Sequence, residues 1–348
     1  MKAVILAGGE GTRLRPLTLK LPKAVVPIAN IPFLYYPLGL LRNHGINETI
    51  VSLGYQPEKV ETVLGDGSAF NIKLRYMVEK FPLGTAGAYK NTESLLDGTT
   101  IVFNGDILCD FDLTEIIHFH RKRSAVATLV LTRVEDPLDY GLVEIKKDGR
   151  IKRFLEKPRI CEVTCDTINA GAYILEPRVL EMIPIGANCS FERSIFPALL
   201  ASRQPVYAYI SQGYWIDIGT PEKYLKAHRD ILNDHFTPSV VASLSNTGAL
   251  ATVGAATTFQ NSVIASSVRV GERVRISSSS VDHDCQIGNQ VVINESVLWK
   301  GIKVGDHAEL AGCVVGNHCE IGHHAVLSKG AVLGDNCKIS DYGHVGLS

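Results

Sequence analysis

Two groups of residues in this 348-residue sequence have the types and spacing to handle a polyphosphate. The first is Leu6-Ala7-Gly8-Gly9-Glu10-Gly11-Thr12-Arg13-Leu14, continuing to Pro22-Lys23. Glycines let a backbone fold tightly and bring its N–H groups close to a phosphate or a base. Arg13 offers a planar fork of donors for phosphate oxygens, and Lys23 a mobile point charge. No Gly-Lys-Ser/Thr closes the loop, so it is not a Walker A loop, and the absence of G-x-G-x-x-G weakens a hydride-transfer reading. The second group is a pair of carboxylates, each at the end of an apolar segment. Asp106 closes Asn104-Gly105-Asp106, and Asp217 lies within Trp215-Ile216-Asp217-Ile218-Gly219-Thr220-Pro221. Two carboxylates converging on a triphosphate make a reasonable Mg²⁺ site, because that ion takes one or two carboxylates and fills its octahedron with phosphate oxygens and water. Taken singly, Asp106 also suits a turn and Asp217 a cap. Thr220 can cap the helix that follows, with Pro221 at its first position.

The elements that must position these groups alternate in type. Lys2–Ala7, Thr49–Gly54, Thr100–Phe103 and Val126–Leu131 read as buried strands, and Phe33–Asn43, Gly84–Leu96 and Thr114–Arg123 as helices. The expected fold class is therefore α/β: a Rossmann-like, mostly parallel sheet covered by helices on both faces. Such sheets bind ligands outside the carboxyl ends of their strands, where both groups fall.

After about Leu250 the pattern changes. Val315, Ile321, Leu327, Leu333, Ile339 and Val345 are spaced by six, and Ile264, Val270 and Ile276 keep the same step. Neither an α-helix nor a flat strand repeats every six residues, but a prism-shaped β-coil does. This segment resembles the hexapeptide-repeat left-handed β-helix. The chain therefore divides into a catalytic domain over 1–234, a polar linker over 235–252 and a β-helix over 253–348.

Composition narrows the class. The 35 Lys and Arg residues nearly balance the 36 Asp and Glu residues, so nothing suggests nucleic acid or an anionic membrane as partner. The apolar start reaches Gly8 too soon for a signal peptide, and no run approaches membrane-spanning length, so a cytoplasmic protein is expected. Eight scattered cysteines without CxxC pairs read as reduced, mostly structural thiols.

With the glycine-rich loop, the two carboxylates and the hexads in place, the chain resembles the sugar nucleotidyltransferases over essentially its whole length. Within them it is most similar to the mannose-1-phosphate guanylyltransferases (GDP-mannose pyrophosphorylases). The resemblance implies that Leu6, Ala7, Gly8, Gly9, Gly11 and Thr12 hold the nucleotide, and that Arg13 and Lys23 bind and activate the triphosphate as catalytic residues. It implies Mg²⁺ on Asp106 and Asp217, with Asp106 also against the nucleotide. Tyr140-Gly141, Glu156-Lys157-Pro158 and Ile168-Asn169-Ala170-Gly171 match the sugar-phosphate elements. Gly141 would act through its backbone, Glu156 and Asn169 on hydroxyls, and Lys157 on the phosphate. Gly84 and Thr85 open a helix expected beneath the nucleotide. Glu79 stands where similar thymidylyltransferases carry a glutamine, and an ionised carboxylate suits the N–H donors of guanine, so GTP is the expected triphosphate.

The implied reaction joins a sugar 1-phosphate, mannose 1-phosphate by resemblance, to the nucleotide and releases pyrophosphate. The repeats are expected to mediate homo-oligomerisation. Other readings stay open on the residues alone: a glucose-1-phosphate thymidylyl- or uridylyltransferase, a bifunctional enzyme using a repeat histidine for acyl transfer, or a non-catalytic nucleotide-sugar-binding regulator.

Overall fold

The computed structural model describes residues 1–238 and 252–346, so most of the expected linker lies outside the described residues. The chain folds as two compact units: Met1–Gly9 with Pro37–Trp215, and Glu10–Tyr36 with Ile216–Ser348.

The first unit is built on a nine-stranded sheet. Its path runs Ile151–Glu156, Gly141–Ile145, Thr167–Leu175, Thr100–Asn104, Lys2–Ala7, Glu48–Leu53, Lys73–Val78, with Ala127–Arg133 branching from Thr167–Leu175 and Val206–Ile210 pairing with that branch. Lys2–Ala7 pairs parallel with both Glu48–Leu53 and Thr100–Asn104, and Glu48–Leu53 parallel with Lys73–Val78. Continuous runs such as Ala3-Val4-Ile5 and Ile101-Val102-Phe103 are buried, as a strand covered on both faces requires. Thr167–Leu175 runs against its neighbours, and its register slips between Asn169 and Tyr173. Helices Pro57–Leu64, Gly84–Asn91 and Leu113–Lys122 connect strands. The helix expected over Gly84–Leu96 stops at Asn91, and a short 3₁₀ turn covers Glu93–Leu95.

The second unit contains the repeats. Three parallel sheets of six, six and five short strands stack their strands in register, Arg269 on Gln286 on Lys303 on Glu320 on Lys338. Most coils take 17 residues, since the aliphatic positions advance by two steps of six and one of five, as in Ile264, Val270, Ile276, Val281. The last coil takes three steps of six, which is why the unbroken hexad run lies at Val315–Val345. The stacked aliphatic residues form a closed core that also takes in Cys285, Cys313 and Cys319. All eight cysteines are free.

Four of the repeat histidines take part in the coil's own corners and packing. His307, His318 and His324 sit at corners with φ of 62°, 57° and 55°, a left-handed conformation in which His is enriched. His307, His324 and Tyr342 stack face to face along one corner. His323 Nδ1 accepts the Asp306 N–H at 3.0 Å. Glu10–Tyr36 folds with this unit as three 3₁₀ turns and a short hairpin, Pro27–Ile28 against Ile31–Pro32, and the helix Pro221–Leu232 joins it. Thr220 caps that helix as expected, accepting from Lys223 N at 3.3 Å. Among the described residues, no helix is long and apolar enough to cross a membrane.

Candidate active site

In the first unit the carboxyl ends of neighbouring strands carry the nucleotide-type residues. Leu6 and Ala7 finish Lys2–Ala7, and Leu6 O accepts the Gly105 N–H at 2.8 Å, holding the Asn104-Gly105-Asp106 turn against the first strand's end. Gly8 and Gly9 follow directly. A side chain at Gly8 would collide with Glu79 Oε1 and displace it, so glycine here lets the carboxylate rest against this backbone. Glu79 is half-buried and anchored: its Oε2 accepts the Leu83 N–H at 3.0 Å and its Oε1 the Ser52 hydroxyl at 3.4 Å. Burial lifts its carboxyl above the ordinary range, and the two hydrogen bonds only partly offset that.

The small residues at the start of Gly84–Asn91 pack on the backbone of Ala187–Cys189. Cys189 O accepts from both Ala86 N (2.9 Å) and Gly87 N (3.1 Å), and a Cβ on Gly84 would lie 2.7 Å from that same oxygen. Their smallness admits the Ala187–Cys189 backbone, and two of the helix's first four N–H groups are spent there. Thr85 donates to Glu192 Oε2 at 2.8 Å and accepts the Phe191 N–H at 2.9 Å.

The sugar-type residues meet around that same Glu192. Gly141 and Glu156 are direct partners in the antiparallel pair, and a Cβ on Gly141 would lie 2.9 Å from Glu156 Oε2. The register slip in Thr167–Leu175 starts at Asn169, and such irregularities are frequent beside sites. Asn169 Nδ2 donates to the Tyr173 hydroxyl at 2.8 Å, which in turn donates to Glu192 Oε1 at 3.1 Å. Ser190 donates to Glu192 Oε2 at 2.6 Å. Burial raises the Glu156 carboxyl, and the Glu192 charge raises it further. Trp215 Nε1 donates to Ala170 O at 2.8 Å, and its ring stands edge-on to Tyr140. Lys157 is exposed with φ of 48°, strained for a non-glycine residue and held by its N–H to Tyr140 O at 3.0 Å. Asn104 Oδ1 is buried without a hydrogen-bond partner.

Glu192 was not foreseen from the sequence. It sits on a short π-helix, Phe191–Ile195, capped by Ser190. A cap serine followed by an acid was the only signal, and that pairing is commonplace at helix starts.

The remaining candidates lie in the second unit. Gly11 has φ of 64° and packs on the Lys23 side chain, which is buried, while the Thr18 hydroxyl donates to Gly11 O at 2.8 Å. Thr12 and Arg13 occupy the first 3₁₀ turn. A Cβ on Gly219 would lie 2.9 Å from Arg13 Nη2 and 2.6 Å from Asp217 Oδ1, so glycine is what lets the guanidinium approach this carboxylate's turn. Asp217 Oδ1 also accepts the Gly219 N–H at 3.1 Å. Its Oδ2 accepts from Lys223 Nζ at 2.6 Å, a bond that no motif foretold. Asp217 therefore already faces a compact cation from a largely buried position, and its hard oxygen donors suit Mg²⁺. Among the described residues no cluster of three or more His, Cys, Asp or Glu could hold a metal, so an all-protein cage is not available.

Fold and site define an α/β protein that carries a parallel β-coil of hexapeptide repeats. The chain belongs to the nucleotidyl transferase family, whose model matches residues 2–234. Residues 239–345 match the EIF2B subunit epsilon LbH domain. A mannose-1-phosphate guanylyltransferase of Mycobacterium tuberculosis is 43% identical over 232 residues, covering 66% of this chain and 64% of that protein. A mannose-1-phosphate guanyltransferase of Yarrowia lipolytica is 40% identical over 231 residues, covering 65% and 62%. The chain thus spans less than two thirds of the length of these relatives. Among solved structures, HddC from Yersinia pseudotuberculosis complexed with GMP-PN superposes with a TM-score of 0.57 at 33% identity, covering 65% of this chain and 97% of that one.

Proposed function

We propose that this chain condenses mannose 1-phosphate with GTP, giving GDP-mannose and pyrophosphate in the cytoplasm. The observation that carries the base assignment is the Glu79 carboxylate, fixed beside Gly8 by Leu83 and Ser52. Each carboxylate oxygen has a further lone pair, so Glu79 can accept from guanine N1–H and N2–H₂, a pairing adenine cannot offer at that edge. The relatives named as mannose-1-phosphate guanylyltransferases support the sugar and the base together. In this reading residues 1–234 are the catalytic domain and the repeats mediate homo-oligomerisation.

In the reaction a phosphate oxygen of the sugar 1-phosphate attacks the α-phosphorus in line. The new P–O bond forms as the bond to the bridging oxygen breaks, and pyrophosphate leaves with the electron pair. The substrate brings its own anionic nucleophile, so the protein's work is alignment and charge neutralisation. Leu6, Ala7, Gly8, Gly9, Gly11 and Thr12 hold the nucleotide, with Gly84 and Thr85 supporting the site from behind. Arg13 and Lys23 stabilise the charge moving onto pyrophosphate, and Lys157 steers the sugar phosphate. Gly141, Glu156 and Asn169 bind the sugar; Glu192 holds Asn169 in place through Tyr173, and Asn104 Oδ1 adds an acceptor. Asp106 and Asp217 would hold Mg²⁺, which when bound supplies further neutralisation of the phosphate oxygens.

Glu79→Gln tests the base assignment. The variant keeps the shape but turns one acceptor into a donor facing guanine donors. Its kcat/KM for GTP should fall by about tenfold, on the order of 1.4 kcal/mol, and that for UTP or dTTP much less. A pH profile adds a second readout. Because the Glu79 carboxyl is lifted, it takes up its proton at a higher pH than an exposed glutamate as the solution is acidified. Wild type should therefore lose GTP preference on the acid side, along a limb absent from the variant. Unchanged GTP kinetics in the variant would remove Glu79 from base reading.

A further inference from the structure

The segment carrying Arg13 and Lys23 is tied to the repeat coil at two places, in part through the helix Pro221–Leu232 that carries Tyr224 and His228. Downstream of Lys23, the hairpin Pro27–Pro32 turns through Ala29 and Asn30, with φ of 46° and 63°. Asn30 Nδ2 donates to Val281 O at 2.9 Å. The Ala29 N–H donates to His228 Nδ1 at 3.2 Å, and the Ser280 hydroxyl approaches the same nitrogen at 3.1 Å. His228 Nε2 donates to Pro27 O at 3.2 Å, because its other nitrogen is occupied as an acceptor. Tyr224 donates its hydroxyl hydrogen to Pro27 O, and Trp299 Nε1 donates to the Tyr224 oxygen at 3.0 Å. All of His228, Tyr224, Ser280 and Trp299 are buried, so the bonds are shielded from water. Between the two cations, a Cβ on Gly334 would lie 3.1 Å from Pro16 Cβ, three residues after Arg13.

We propose that the repeat coil positions the triphosphate-binding cations: by clasping Pro16 and the Pro27–Pro32 hairpin it fixes the backbone from which Arg13 and Lys23 project. This rests on the reading of Arg13 and Lys23 given above and extends it to the coil. A group held this way couples the two ends. Whatever tightens the clasp favours the triphosphate, and triphosphate binding must by reciprocity tighten the clasp. Asn30 and Trp299 are then positioning residues, which act through the segment and touch no substrate. The coil acts through the two triphosphate cations, which share its compact unit, and not through the sugar residues Glu156, Asn169 and Glu192, which like Glu79 belong to the other.

Two variants of the full chain test this. Asn30→Gly removes the side-chain bond to Val281 while keeping a backbone that tolerates positive φ. Trp299→Phe keeps an aromatic ring but loses the N–H that reaches Tyr224. Each should lower kcat/KM for GTP by about fivefold or more, while KM for mannose 1-phosphate stays within about twofold. In parallel, hydrogen exchange should show Mg-GTP slowing the amides of Val281 to Leu298 in wild type and much less in either variant. Equal changes for both substrates, or no change in a folded variant, would overturn the clasp. A wild type inactive with every triphosphate would instead overturn the proposed function, and this inference with it.

Discussion

Asp106→Asn and Asp217→Asn are each expected to lower kcat by about 10³-fold while leaving the chain folded. The asparagine keeps the size of the side chain and one acceptor, but removes the charge that a hard cation and its bound phosphates need opposite them. Asp106 follows a turn tied to the first strand by Gly105 N–H to Leu6 O, and an amide there disturbs nothing in that tie. Asp217 is more exacting, because its side chain is only 10% exposed and Lys223 Nζ lies 2.6 Å from Oδ2. Its replacement leaves an ammonium facing a neutral amide, so circular dichroism and thermal unfolding belong beside the kinetics. Steady-state rates over a Mg²⁺ titration are the check. Near wild-type kcat at low Mg²⁺ in either variant would remove that residue from the metal site.

Acid should unfold the second unit through His228. Burial pushes this imidazole down to about 3 from 6.5, with only the bond to Pro27 O working in the opposite direction. Protonating Nδ1 would also set an N–H against the Ala29 N–H that it now accepts. Between pH 6.5 and about 3 the unfolded chain binds a proton that the folded chain refuses. Stability from this group is therefore complete above about pH 6.5 and falls as pH drops, by about 1.4 kcal/mol per pH unit within that window. His120 in the first unit is lowered as well, by burial first, with Glu176 opposing. Urea unfolding from about pH 7 to about pH 4 measures the slope. His228→Gln, which keeps a donor and an acceptor but takes no proton, should be less stable at neutral pH and show a shallower decline. An identical pH slope in the variant would mean that His228 is not what acid attacks.

The features that could be read along the chain are those that depend on near neighbours in it. The hexads declared the coil because each aliphatic residue stacks on another one coil away, and the pattern carries that regularity openly. The placement of Asp106 and Asp217 by strand ends was legible because strand ends follow apolar runs. Glu192 was not: its partners Thr85 and Tyr173 come from other elements, and nothing in Ser190-Phe191-Glu192 announces them. Lys223 reads as an ordinary exposed lysine in the first turns of a helix until the turn at Gly219 brings Asp217 to it. The glycines at Gly84 and Gly87 announce a close approach, but not that the Ala187–Cys189 backbone is one of the groups approaching. Least visible was the company of Glu10–Tyr36, which sequence order places with the sheet and the folded chain places with the repeats. That grouping depends on pairings such as Asn30 with Val281, which no local pattern encodes.

The measurement that bears most directly on the function is pyrophosphate release by the full chain, with each of GTP, UTP, dTTP, ATP and CTP against mannose 1-phosphate and glucose 1-phosphate. Mg²⁺-dependent release is expected to be fastest for GTP with mannose 1-phosphate, by about tenfold or more in kcat/KM over the other pairs. Outright preference for UTP or dTTP with glucose 1-phosphate, or no release from any pair, would contradict the proposed function.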